Sequence, residues 1–83
     1  MKKIVIKEAK ETIELGPQVI ECIDSANRHL EIRYRGSGLH VKYENAKHEI
    51  YYSLIPEENP TCLKMGKIKR LLKHLLVFEK EIG

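Results

Sequence analysis

A chain of 83 residues, 42% hydrophobic and 33% charged, has the composition of a small folded domain, not of a disordered segment. At this length only about 60–65% of the unfolded chain's surface can be buried, so a single domain is expected, and no run approaches the ~18 apolar residues of a membrane span. The net charge of +3 is local: residues 64–83 hold Lys64, Lys67, Lys69, Arg70, Lys73 and Lys80 against Glu79 and Glu81, which leaves the rest slightly acidic.

In chain order, Lys3 to Lys7 reads as a short strand. The apolar core after Lys2-Lys3 is three residues, short of the roughly 7–15 of a signal peptide, so a cytoplasmic chain is expected. Residues 8–15 carry both a helical composition and the alternation of Thr12-Ile-Glu-Leu15; we read strand, turn, strand. Gln18 to Asp24 is apolar on both parities, which predicts a strand covered on both sides. Ser25 to Arg28 is a turn.

His29–Arg35, Leu39–Glu44 and Lys47–Leu54 each alternate apolar with polar residues, the period of half-buried strands. A two-residue loop of Gly36-Ser37 sets Tyr34 opposite Leu39, Ile32 opposite Val41 and Leu30 opposite Tyr43. A loop one residue longer would turn one apolar set to water. Glycine first in the loop suggests a type II′ turn. A second loop of Asn45-Ala46 would oppose Lys42 to Glu49, Val41 to Ile50 and Leu39 to Tyr52. The expected apolar face then holds the rows Tyr34–Leu39–Tyr52, Ile32–Val41–Ile50 and Leu30–Tyr43–His48. The expected polar face holds Arg33–His40–Tyr51, Glu31–Lys42–Glu49 and His29–Glu44–Lys47.

Pro56 to Pro60 is a loop, and Thr61 to Met65 can extend as an edge strand. From Gly66 onward, Ile68, Leu71, Leu72, Leu75, Leu76 and Ile82 form one helical stripe. Lys67, Lys69, Arg70, Lys73, His74 and Lys80 occupy the opposite arc. Val77 falls among the basic residues and Glu79 on the apolar side, so the stripe degrades after about Phe78. The fold class predicted is α+β: an antiparallel sheet of about five strands, largely a meander, with one C-terminal amphipathic helix packed on one face. The order of four strands and a helix resembles that of Pur-α-type single-stranded-DNA-binding repeats in architecture alone, with no sequence motif in common.

Two surfaces are candidates for function. The basic helix arc of Lys67, Lys69, Arg70 and Lys73 can hold phosphates, or can simply be solvated while the apolar stripe covers the sheet. The row Arg33–His40–Tyr51, with Arg35 and Ser53 beside it, offers a ring and cations of the kind that stack and hold single-stranded nucleic acid. Its plain alternative is a solvated sheet face, since Glu31, Glu44 and Glu49 lie near and repel phosphate. His40 and His48 point to opposite faces in this register, and no nucleophile or isolated carboxylate pair stands beside a histidine. Cys22 and Cys62 have no CxxC or zinc-type spacing and read as free thiols. Neither catalysis nor a metal or cofactor is expected. The expected function is non-catalytic binding or regulation, acting on nucleic acid or a nucleic-acid-associated protein. The alternative is a protein–protein adaptor or stoichiometric inhibitor of the mobile-element type. A homodimer through a sheet edge is a further expectation, and a membrane partner is not.

Overall fold

The computed structural model describes residues 3–12, 18–56 and 62–79. Their elements, in chain order, are β1 (Ile4–Thr12), β2 (Gln18–Asp24), β3 (His29–Arg35), β4 (Gly38–Tyr43), β5 (Tyr51–Leu54), α1 (Met65–Leu71) and β6 (Leu76–Phe78). The strands form one six-stranded sheet in the order β5-β4-β3-β2-β1-β6. β1 to β5 pair antiparallel with their neighbours, and β6 joins β1 in parallel. The expected α+β class stands, but the sheet is mixed, has one more strand than expected, and carries a much shorter helix.

The β3–β4 hairpin has the expected register, with Tyr34 opposite Leu39, Ile32 opposite Val41 and Leu30 opposite Tyr43. Its turn is a different type. Gly36 and Ser37 both have positive φ (55° and 65°), which is the type I′ geometry and not II′. Residues 8–12 continue β1 after a register shift between Ile6 and Glu8, so no turn interrupts them; residues 13–15 lie outside the described residues. β2 is covered on one side only. Gln18, Ile20, Cys22 and Asp24 are buried, whereas Glu21 between the half-buried Val19 and Ile23 is exposed.

The second hairpin departs from its expected register by one residue. Val41 pairs with Tyr51, His40 with Tyr52 and Leu39 with Ser53. The Ile50 N–H also donates to the Val41 carbonyl at 2.8 Å, so two residues face one, the arrangement of a β-bulge. Asn45-Ala46 is not a two-residue loop but part of a longer connection, and Asn45 has no positive φ. A one-residue shift exchanges the faces of a strand. Tyr51 therefore packs on the core, and Ile50, Tyr52 and Leu54 stand exposed.

The expected long helix also ends early. α1 stops at Leu71, and residues 72–75 turn so that Leu76–Phe78 can pair with the edge of β1. Leu-Val-Phe is a short apolar run with a β-branched and an aromatic residue, and pairing satisfies β1 backbone groups that a helix would leave open. The misplacement of Val77 on the helical wheel is the trace of this switch. Residues 62–64 form no edge strand. Pro56 is irregular, and residues 57–61, Lys80 and Ile82 lie outside the described residues.

The chain thus leaves one edge of the sheet at β5, crosses its inner face through α1, and returns at the other edge as β6. Ile6, Ile20, Leu30, Ile32, Tyr34, Leu39 and Val41 from the sheet meet Ile68, Leu72 and Leu76 in one core. The His74 ring, two residues before β6, lies 5.3 Å from the Tyr51 ring of β5. Contact between segments at opposite edges means that the sheet curls around α1.

Candidate functional site

The core sits between α1 and the inner face, so the candidate residues divide between opposite sides of the molecule. Arg33, Arg35 and His40 stand on the outer face of the sheet. Lys67, Lys69, Arg70 and Lys73 belong to α1 and the turn after it, beyond the inner face. Tyr51, expected beside His40, is on the inner face; the bulge at Ile50 puts Tyr52 there instead.

Strand pairing builds the outer face as rows. One row reads Lys10–Glu21–Glu31–Lys42, in which two directly opposed carboxylates are flanked by two lysines. The next reads Thr12–Val19–Arg33–His40–Tyr52. The His40 and Tyr52 rings are 4.7 Å apart at 56°, and Nδ1 of His40 hydrogen-bonds Oε1 of Glu49. Gly38 leaves the room they use, because a Cβ there would stand 3.0 Å from His40 Nε2 and 3.1 Å from Tyr52 Cε1. Arg33 donates from Nη2 to Glu31 at 3.0 Å. Arg35 is exposed at the end of β3, opposite Gly38.

Two shallow depressions share Glu31 and Lys42 and run across this face. One takes in Glu8, Lys10, Glu21 and Glu44, and the other Arg33, Arg35, His40 and Glu49. Together they present five carboxylates against four lysines and arginines. Arg33 and His40 are each held by a glutamate. This is a charge-balanced surface, and it repels a phosphate chain about as much as it attracts one.

The other side differs. Residues 62–78 contain Lys64, Lys67, Lys69, Arg70 and Lys73 and no aspartate or glutamate. Ile68 and Leu72 are fully buried, which fixes the rotation of α1 and turns Arg70 and Lys73 to solvent. Lys69 is half-buried, its Nζ 5.6 Å from the Phe78 ring centre, a cation–π contact that steadies it. Gln18 holds the approach to α1. Its buried amide donates from Nε2 to the Leu63 carbonyl (2.8 Å) and to Glu11 (2.6 Å), and accepts the Leu63 N–H at Oε1 (2.7 Å).

Buried polar chemistry elsewhere is structural. Asp24 accepts the N–H groups of Ala26 and Arg28 at Oδ1, and Arg28 Nε and the Tyr43 hydroxyl at Oδ2. Burial alone would raise its pKa. The backbone N–H groups of Arg28 and Ala26, the Tyr43 hydroxyl and the Arg28 side chain outweigh that and hold it below its ordinary 3.8. Burial, with the Asp24 hydrogen bond, raises the Tyr43 phenol. Cys22 is buried, and burial pushes its thiol up to about 12, so it is not a thiolate nucleophile near neutrality. Both cysteines are free. Among the described residues no three His, Cys, Asp or Glu side chains are grouped to hold a metal ion, and no helix is long and apolar enough to cross a membrane.

Comparison with protein-family models, with curated proteins and with solved structures finds no significant match.

Proposed function

We propose that this is a non-catalytic binding protein that holds a nucleic-acid backbone, without sequence readout, on the basic arc of α1 and its following turn. The observation that carries the reading is the run of five cations in residues 62–78 with no carboxylate among them, on an element whose rotation is set by buried Ile68 and Leu72. A polyanion bound there releases its counterions, and that release drives association. The charge-balanced sheet face contributes little to such binding.

Fluorescence anisotropy of a labelled oligonucleotide, titrated at two or more salt concentrations, tests this. Engaging about three to four phosphates gives a log–log slope near −3 on duplex and a shallower one on single strands. Arg70→Glu with Lys73→Glu, both at exposed positions, should weaken binding and flatten the slope by about 2. Arg33→Ala should leave both unchanged. Absence of binding at low salt, or charge reversal without effect, overturns the reading.

A second reading, a protein–protein adaptor or stoichiometric inhibitor, draws on the exposed apolar side chains of Tyr52 and Leu54 at the sheet edge (51% and 65% accessible). It predicts a shallow salt dependence for the partner and no affinity for oligonucleotides.

A further inference from the structure

We infer that β5 is a self-pairing edge, through which two copies of the chain join antiparallel about a two-fold axis at Ser53. In an antiparallel ladder, residues that exchange both hydrogen bonds with the neighbouring strand alternate with residues whose N–H and C=O point the other way. The Ile55 N–H donates to the Ser37 carbonyl at 2.7 Å, and Leu39 faces Ser53 and Val41 faces Tyr51 in the same register. The odd residues of β5 are therefore turned toward β4. Tyr52 and Leu54 present their backbone groups outward, and among the described residues β4 is the one strand β5 pairs with.

That outward pattern fits itself. A two-fold axis at Ser53 sets Tyr52 against Leu54 of the second copy, and Leu54 against its Tyr52. Each pair exchanges both backbone bonds. The exposed side chains of the two residues meet as aromatic–aliphatic pairs on the outer face, a favourable cross-strand combination. Ser53 meets its own counterpart on the other face, where a small side chain suits an unbonded pair of closely spaced backbones. Charge allows this: residues 50–55 (Ile-Tyr-Tyr-Ser-Leu-Ile) hold no ionisable cation or carboxylate, so the paired segments themselves set no like charges against each other. Natural edges are commonly guarded by lysine, proline or an inward charge, and none occurs in that stretch. The bulge at Ile50 and the shortness of β5 limit pairing to residues 52–54. The contact is small, and the dimer depends on concentration. The contact is isologous and closes at two copies, whereas joining β5 to β6 of another copy would be head-to-tail and open-ended.

Sedimentation equilibrium of the full chain, without nucleic acid, tests the pairing from about 1 to about 500 µM, a span suited to a small contact. The mass should rise from 9.7 kDa toward twice that value and level off. Leu54→Pro removes an outward N–H and leaves the ladder to β4 intact, and Leu54→Lys sets like charges at the edge. Both should shift the midpoint at least tenfold higher while circular dichroism stays that of the parent. Register is read by disulfide trapping in a Cys62→Ser background. Ser53→Cys should cross-link under mild oxidation, and Tyr52→Cys should not. A chain that stays monomeric throughout, a mass that climbs past the dimer, or equal cross-linking at both positions overturns the inference. None of these outcomes bears on oligonucleotide binding by α1.

Discussion

Two buried polar side chains do structural work that the apolar core cannot. Gln18 pairs with both backbone groups of Leu63, the way a strand neighbour would, and so ties the approach to α1 onto β2. Gln18→Ala leaves a buried N–H and a buried C=O unpaired and should cost about 2–4 kcal/mol. A urea midpoint close to the parent's would show that water takes over both bonds. Asp24 organises the β2–β3 turn by accepting four hydrogen bonds. Its pKa is lowered on folding, so its contribution is fully present above the unfolded value of 3.8 and is lost as pH falls through the lower folded value. The melting temperature should therefore drop on acidification below about pH 4 more steeply in the parent than in Asp24→Asn. At neutral pH that variant should be less stable by about 2 kcal/mol, the order of a charge-assisted hydrogen bond. Parallel pH profiles would remove Asp24 as the cause.

At the scale of elements, the β3–β4 turn is under local strain. A type I′ turn needs positive φ at both loop positions, and Ser37 supplies the second at 65° against its side-chain preference. Ser37→Gly relieves that strain and keeps the Ser37 carbonyl that Ile55 uses. The larger entropy of unfolded glycine offsets part of the gain, leaving a stabilisation of about 0.5 kcal/mol. Thermal or urea unfolding reads this directly, and a loss of stability would mean the hydroxyl does more than fill space. β5 and β6 show how elements answer to their neighbours. β6 forms as a strand because the edge of β1 is there to pair with it. The bulge at Ile50 sets which face each β5 side chain occupies.

Across the whole molecule, the curled sheet separates two surfaces of unlike character. The arc of α1 is cationic, while the outer face balances five carboxylates against four cations. The two lie on opposite sides of the core, so one short oligonucleotide does not span both. The salt slope and the charge-reversal variants should consequently respond to Arg70 and Lys73 and ignore Arg33. Pairing at β5 would join two sheets edge to edge and bring two cationic arcs into one particle. Oligonucleotides long enough to reach both would then bind with added avidity.

The register of the β3–β4 hairpin was legible in residues 29–43, because alternation and a short glycine turn admit one solution. The cluster of cations near the C-terminus and the inward set Leu30, Ile32, Tyr34, Leu39 and Val41 were equally legible. These depend on local pattern, and local pattern is what a sequence states. The face of Tyr51 and Tyr52 depended on a bulge whose extra residue no alternation reveals. The fate of Leu76–Phe78 depended on an open β1 edge just over seventy residues earlier in the chain. The separation of Arg33 and His40 from the lysines of α1 arose only when the core was placed between them. Each was decided by backbone groups seeking partners far away in sequence, and only the tertiary structure shows which partners they found.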